Sequence, residues 1–379
     1  MSNSDVPVRF FGLDRQFARY RDEFMAITEQ ALSAGNALQG PAVADFEADI
    51  AALTGRRHAV AVGSATDALA FALMATGIGA GDEVLVTAFS FFASVSPILR
   101  VGASPRFIDI DPATYQMDVA ALDRLVTPRT KALLAVHMFG QTLDMKAVDA
   151  FARRHDLIVI EDAAQALGAM DGDRAAGSMG LASCLSFDPT KVIGSFSSAG
   201  ALVTDDDAVA RTVRMLRYHG RDPDTRRYAM LGYNSQLSTE MAAQLRFKLA
   251  KLQDWQDARR RVANIYLDRL AGVGDVSLPT IRPGSSHNWH KFVLRCGDVS
   301  GLAGFLKQRG IETMIHYPLV LCDEPVIKQI GLPPEAADVP NARIATKSVV
   351  SLPIHSELLE AEAVHVADSV GRFFEFRSA

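Results

Sequence analysis

Short, nearly continuous apolar runs recur along the first two thirds of the chain, at residues 58–63, 83–87, 106–110, 131–136, 157–160, 182–187 and 200–204. Runs of this kind predict strands buried on both faces of a sheet. Residues 66–74 and 145–153 place their apolar side chains at helical spacing between such runs. Alternating strand and helix predicts a mainly parallel sheet with crossover helices over roughly residues 40–245. The pattern then changes. Residues 239–270, rich in Ala, Leu, Gln and Arg, predict one long helix. Strands are expected at 289–294 and 311–316, a helix at 302–308 stopped by Gly310, and a closing helix at 360–374, with 279–286 as a loop. This is an α/β chain with a large unit at 1–250 and a smaller C-terminal α+β unit at 251–379.

Composition narrows the class. Of 379 residues, 49% are apolar and 22% charged, an ordinary globular balance. Lys and Arg number 39 against 44 Asp and Glu, a net charge of -5, and basic residues cluster only in short pieces such as Arg259-Arg260-Arg261. Nucleic acid and anionic membrane, which need a concentrated cationic face, are not expected partners. Cys184, Cys296 and Cys322 are too few and too scattered for a disulfide framework or a zinc ribbon, so no metal is expected. Neither a leader-like start nor an apolar stretch approaching the ~18 residues of a membrane span is visible, and a cytoplasmic protein is expected.

The candidate chemistry lies at strand ends, where ligands of open α/β sheets bind. After the first strand, Gly63-Ser64-Ala65-Thr66-Asp67 brings small residues to a helix start, a place for an anion or an ordinary cap. The strand at 157–160 runs into Glu161-Asp162-Ala163-Ala164-Gln165, and a carboxylate there calls for a cation such as a protonated pyridine nitrogen, or for an arginine. Lys191 follows the strand at 182–187, where desolvation would free its amine to attack a carbonyl; alone it would pass for a surface lysine. Phe89, Phe91 and Phe92 offer either a stacking face for a flat ring or core packing. An anion cradle, a ring platform, a carboxylate and a lysine, in this order, form the set that pyridoxal phosphate (PLP) requires.

With these motifs on view, the chain resembles the PLP-dependent sugar aminotransferases of the DegT/DnrJ/EryC1/StrS family. The likeness extends through His219-Gly220, Gly232-Tyr233-Asn234-Ser235, Gly310-Ile311, His316-Tyr317-Pro318 and Ser351-Leu352-Pro353-Ile354. It implies the aspartate-aminotransferase fold (PLP fold type I) and a homodimer with active sites at the interface. It also implies that Lys191 bonds the cofactor aldehyde and shuttles protons, Asp162 pairs with the ring nitrogen, Gln165 meets the ring hydroxyl and Phe91 stacks on the ring. Ala65, Thr66 and Ser186 would hold the phosphate, Asn234 would reach it from the neighbouring subunit, and His316 and Tyr317 would face the substrate. The implied reaction moves an amino group from an amino acid, L-glutamate by expectation, to the keto group of a nucleotide-linked deoxy-keto-sugar. Leu167 and Gln236 stand where many members carry His and Arg, so the substrate side diverges more than the cofactor side. Two alternatives stand beside this: an aminotransferase for a cyclitol or other non-nucleotide ketone, and a non-catalytic PLP-binding regulatory or structural dimer. No Gly-x-Gly-x-x-Gly turn follows a strand, which speaks against a dinucleotide-binding protein.

Overall fold

A computed structural model describes residues 7–378. Residues 1–6, which open the expected large unit and the start searched for a leader, and residue 379 lie outside the described residues.

All seven expected apolar runs become strands of one sheet. These are β1 (His58–Val62), β2 (Glu83–Thr87), β3 (Ser104–Ile108), β4 (Thr130–Val136), β5 (Ile158–Asp162), β8 (Ala182–Ser186) and β9 (Gly200–Thr204). Between β5 and β8 lies a two-residue ribbon, β6 (Met170–Asp171) with β7 (Arg174–Ala175). The sheet order is β1-β9-β8-β5-β4-β2-β3. Pairings from β3 through β8 are parallel, and β9 runs antiparallel to both its neighbours. Only β9 is reversed, so its first residue lies at the same edge as the last residues of the others.

Alternation along the strands divides the core. Val84, Val86, Leu134 and Ile160 face the helix Ala65–Ala75, whereas Leu85, Leu133 and Val159 face the helix Met145–His155. Phe71, Phe89 and Phe107 are wholly buried on the first side. Each such ring contributes about 1.5–3 kcal/mol through burial.

Outside the sheet three expectations change. The helix expected over 239–270 is two helices, Thr239–Leu249 and Leu252–Leu270. Leu249-Ala250-Lys251 are good helix formers, so nothing local announces the break. It lets the first helix pack on Arg21–Ser33 and Pro41–Thr54 while the second turns to the closing helix Glu360–Ser378. The strand expected at 289–294 begins later, as β10 (Phe292–Arg295), because Trp289 adopts a left-handed backbone with φ 55°. Its partner is β11 (Val349–Leu352), antiparallel. The strand expected at 311–316 does not form. Ile311 and Met314 make only isolated bridges, to Val8 and Ser351, and the segment beyond them lines a cleft. The helix near 302–308 is Val299–Lys307, and Gly310 follows with φ 72°.

Candidate active site

The strand ends converge on a cleft of about 480 Å³. At its floor, β1 leads into the helix Ala65–Ala75. The Ser64 hydroxyl caps that helix by accepting from Asp67 N at 3.1 Å. The N–H groups of Ala65 and Thr66, in the first turn, have no acceptor within the helix and lie at the cleft. Ser235 steadies the turn: its hydroxyl accepts from Gly63 N at 3.0 Å and donates to Asp67 at 2.7 Å. Gly200 pairs with both Val62 and Ser186. A Cβ on Gly200 would lie 2.4 Å from Ala65 N and 2.4 Å from the Ser64 carbonyl carbon. Only a residue without a side chain lets β9 pass this close. Gly200→Ala is therefore expected to displace the helix start and lower PLP affinity about tenfold or more, read by absorbance titration of the apoprotein.

The two carboxylates ending β5 take opposite faces of the sheet. Glu161 is fully buried and accepts from His137 Nε2 (2.7 Å), Gly177 N (2.6 Å), Met179 N (2.9 Å) and Ser183 Oγ (2.6 Å). Because His137 Nδ1 accepts from Leu143 N, the hydrogen bonds assign the proton to Nε2. Burial pushes the Glu161 carboxyl up, but His137 and the other donors outweigh it and hold it below its ordinary value. Glu161 is thus saturated and structural.

Asp162 is poorer in partners. Ser94 Oγ donates to it at 2.8 Å and Ala164 N at 3.1 Å; Ser94 is itself bonded to Ser90. Burial raises the Asp162 carboxyl, and these bonds with the nearby Lys191 charge offset only part of the rise. A buried carboxylate with room for a cationic N–H donor faces the cleft.

Lys191 closes a turn after β8, its N–H bonded to the Asp188 carbonyl at 2.9 Å. Asp188 Oδ1 accepts from Thr190 N and Oγ1. Burial lowers the Lys191 ammonium, opposed by Asp162 and Asp188. The loop beyond is anchored by the buried Lys248, whose Nζ donates to the Gly194 carbonyl at 2.5 Å and lies 4.1 Å from the Phe196 ring centre.

On the opposite wall, Gln165 Oε1 accepts from Phe139 N at 2.9 Å, and its Nε2 donates to the Tyr317 hydroxyl at 3.3 Å. Phe91, 59% exposed in the single chain, stands at the mouth with its ring centre 6.3 Å from that of Tyr317. His316 Nδ1 lies 2.9 Å from Ser351 Oγ, and burial together with Lys291 and Lys191 pushes its imidazole down to about 3.

The cleft thus gathers Ala65, Thr66, Phe91, Asp162, Gln165, Ser186, Lys191, His316 and Tyr317. Asn234 is not among its lining residues; it is exposed, and its Oδ1 accepts from Gln236 Nε2 at 3.1 Å. The sequence reading passed over Ser94, which supports Asp162, and over His290 and Lys291, which also line the cleft. The signal for the latter pair was two adjacent basic residues, His290-Lys291, leading directly into an apolar strand. No group of three or more His, Cys, Asp or Glu among the described residues is placed to hold a metal, and no described helix is long and apolar enough to cross a membrane.

An anion cradle at a helix start, a partner-poor buried carboxylate and a desolvated lysine in one cleft fit PLP. Comparison with known proteins agrees. The profile of the DegT/DnrJ/EryC1/StrS aminotransferase family matches residues 19–371. A protein of Geobacillus stearothermophilus named "Pleiotropic regulatory protein" is 39% identical, covering 97% of this chain and 98% of its own. The dTDP-3-amino-3,4,6-trideoxy-alpha-D-glucose transaminase of Streptomyces venezuelae is 37% identical over 99% of this chain and 98% of its own. The crystal structure of S. venezuelae DesV in complex with ketimine intermediate superposes with a TM-score of 0.94 at 36% identity, covering 97% of this chain and 99% of that one. The chain belongs to the DegT/DnrJ/EryC1/StrS aminotransferase family. It is a PLP-dependent aminotransferase with the aspartate-aminotransferase-like fold type I.

Proposed function

We propose that this chain moves the amino group of an amino acid, L-glutamate, to the keto carbon of a nucleotide-linked deoxy-keto-sugar. The observation that carries the reading is the pairing of Lys191 with a partner-poor Asp162 across one cleft, with the cradle at Ala65 beside them. The nucleotide-sugar class rests on the similarity to the S. venezuelae transaminase.

When bound, PLP supplies an electron-poor ring that stores the electron pair released at the substrate carbon. Asp162 would accept the ring-nitrogen N–H and so hold that proton in place. The N–H groups of Ala65 and Thr66, with the Ser186 hydroxyl, would bind the phosphate. Gln165 would orient the ring hydroxyl, and Phe91 would supply a stacking face for the ring. Lys191 Nζ, whose ammonium form burial disfavours, would take the proton from the substrate carbon. His316 and Tyr317 border the space left for the substrate.

Two further parts belong to the proposal. The chain comprises a PLP-binding unit at 1–250 and a smaller unit at 251–379. It acts as a homodimer in which Asn234 serves the neighbour's cofactor; its exposure and its absence from its own cleft support that assignment.

The name of the G. stearothermophilus relative favours a second reading, a PLP-binding regulator. One experiment separates the two. Purified holoenzyme is treated with L-glutamate and then with a dTDP-linked 3-keto-sugar. The expected result is loss of the aldehyde-form absorbance, its return on adding the sugar, and an amino-sugar nucleotide by mass spectrometry. A spectrum unmoved by glutamate or any other amino acid would leave the regulatory reading standing.

A further inference from the structure

Lys291, immediately before β10, is 5% exposed and lines the cleft. Its Nζ lies 4.6 Å from the Phe11 ring centre and 5.0 Å from that of Phe10. No carboxylate among the described residues comes within ion-pair distance. The charges that act on it are Lys191 and Arg259, which oppose its own, and Asp188, whose Oδ1 already accepts from Thr190. Its surroundings add no anion. Arg259 is buried and donates to the carbonyls of Trp289 and Ile354, and His290 Nδ1 is buried without a hydrogen-bond partner. Lys248, the other buried lysine near the site, donates a hydrogen bond to the Gly194 carbonyl. A buried, uncompensated cation costs several kcal/mol, and this one faces the space that a ligand would fill.

The cofactor's own needs are met elsewhere, at Ala65, Thr66 and Ser186 for the phosphate and at Asp162 for the ring nitrogen. The anion missing from Lys291 is therefore a substrate's. Lys191 is the group that reacts at the carbon bearing the amino group, and Lys291 is close enough to Lys191 to feel its charge. In an amino acid that carbon also carries the α-carboxylate. We propose that Lys291 forms a carboxylate subsite that binds the α-carboxylate of the amino donor. The inference rests on the aminotransferase reading for the identity of the donor. The subsite itself rests only on the uncompensated cation. Burial, reinforced by Lys191 and Arg259, pushes the Lys291 ammonium well below its ordinary value, and an arriving carboxylate reverses that push.

The test compares holoenzymes of wild type, Lys291→Met and Lys291→Arg. Succinate binding, followed by calorimetry, is expected to weaken about tenfold or more in Lys291→Met and to remain within about threefold in Lys291→Arg. In single-turnover reaction with L-glutamate, Lys291→Met is expected to raise the half-saturating concentration by a similar factor while leaving the limiting rate within about twofold. Without ligand, Lys291→Met is expected to melt above wild type, because an uncompensated charge has left the interior. If succinate affinity falls but glutamate half-saturation does not, the subsite stands and its carboxylate belongs to the keto acceptor, which overturns the donor assignment. Unchanged succinate affinity in Lys291→Met, a lost limiting rate at unchanged half-saturation, or a lower melting temperature would each overturn the proposal. If wild type binds succinate through Lys291 yet never reacts with amino acids, the aminotransferase assignment to glutamate fails and the subsite survives.

Discussion

Lys191→Ala is expected to abolish amino transfer, lowering the rate by about four orders of magnitude or more, while the protein still folds and still retains PLP. The loss follows from removing the cleft amine whose charge Asp162 feels. The retention follows from what stays. The first-turn N–H groups of the helix Ala65–Ala75 belong to the backbone, Asp162 keeps Ser94 and Ala164 as donors, and the loop beyond residue 191 remains pinned by Lys248. The check is a spectrum and a rate together: the absorbance of the lysine-bound cofactor disappears, free-aldehyde absorbance replaces it, and amino-sugar formation ceases. Turnover at the wild-type rate would show that another residue does this work.

The second expected result concerns two inactive proteins that become active on mixing. If Asn234 serves the neighbour's cofactor and Lys191 its own, a dimer of one Lys191→Ala and one Asn234→Ala subunit has one site with both defects and one with neither. Random exchange makes half the dimers mixed, each with one intact site, so roughly a quarter of wild-type activity should return. The local structure makes Asn234→Ala a clean variant. Its side chain is exposed and bonds to Gln236, while the contacts to Gly63 and Asp67 come from the adjacent Ser235. If Asn234 acted within its own chain, every site of a mixed dimer would carry one defect and mixing would restore nothing.

The strands were legible because each is apolar on both faces, a pattern that needs no knowledge of its neighbours. The direction of β9 was not legible. Its run at Gly200–Thr204 is as apolar as the rest, and only pairing with β1 and β8 shows the reversal that carries Gly200 to the cradle. The meeting of Asp162, Ser186 and Lys191 at one cleft was legible because they sit at or just beyond strand ends. Its supports were not, since Ser94 meets Asp162 from 68 residues away and Gly177 and Met179 reach Glu161 from a separate loop. The aromatic cluster was legible only as a choice between packing and stacking. The structure divides it, sending Phe89 into the core and leaving Phe91 at the mouth. The segment at 311–316 read as a strand because Ile311, Met314 and Ile315 supply β-like composition. Yet Met314 and Ile315 are each 40% exposed beside the cleft and serve no core.

The neighbouring acids of β5 make this protein unusually sensitive to parity. Glu161 and Asp162 differ by one methylene and one position, yet one is surrounded by donors behind the sheet and the other waits at the cleft. Their roles are distributed by nothing more than odd and even along the strand. Gaining one residue between Ile158 and Glu161 would turn each acid to the other face. It would present the cleft with a longer acid and leave His137, Ser183 and two backbone amides without their carboxylate. Such a change leaves composition, charge and hydrophobic pattern nearly intact, yet inside this strand it rewires the cleft, whereas the same change in a flanking loop keeps the parity of the two acids.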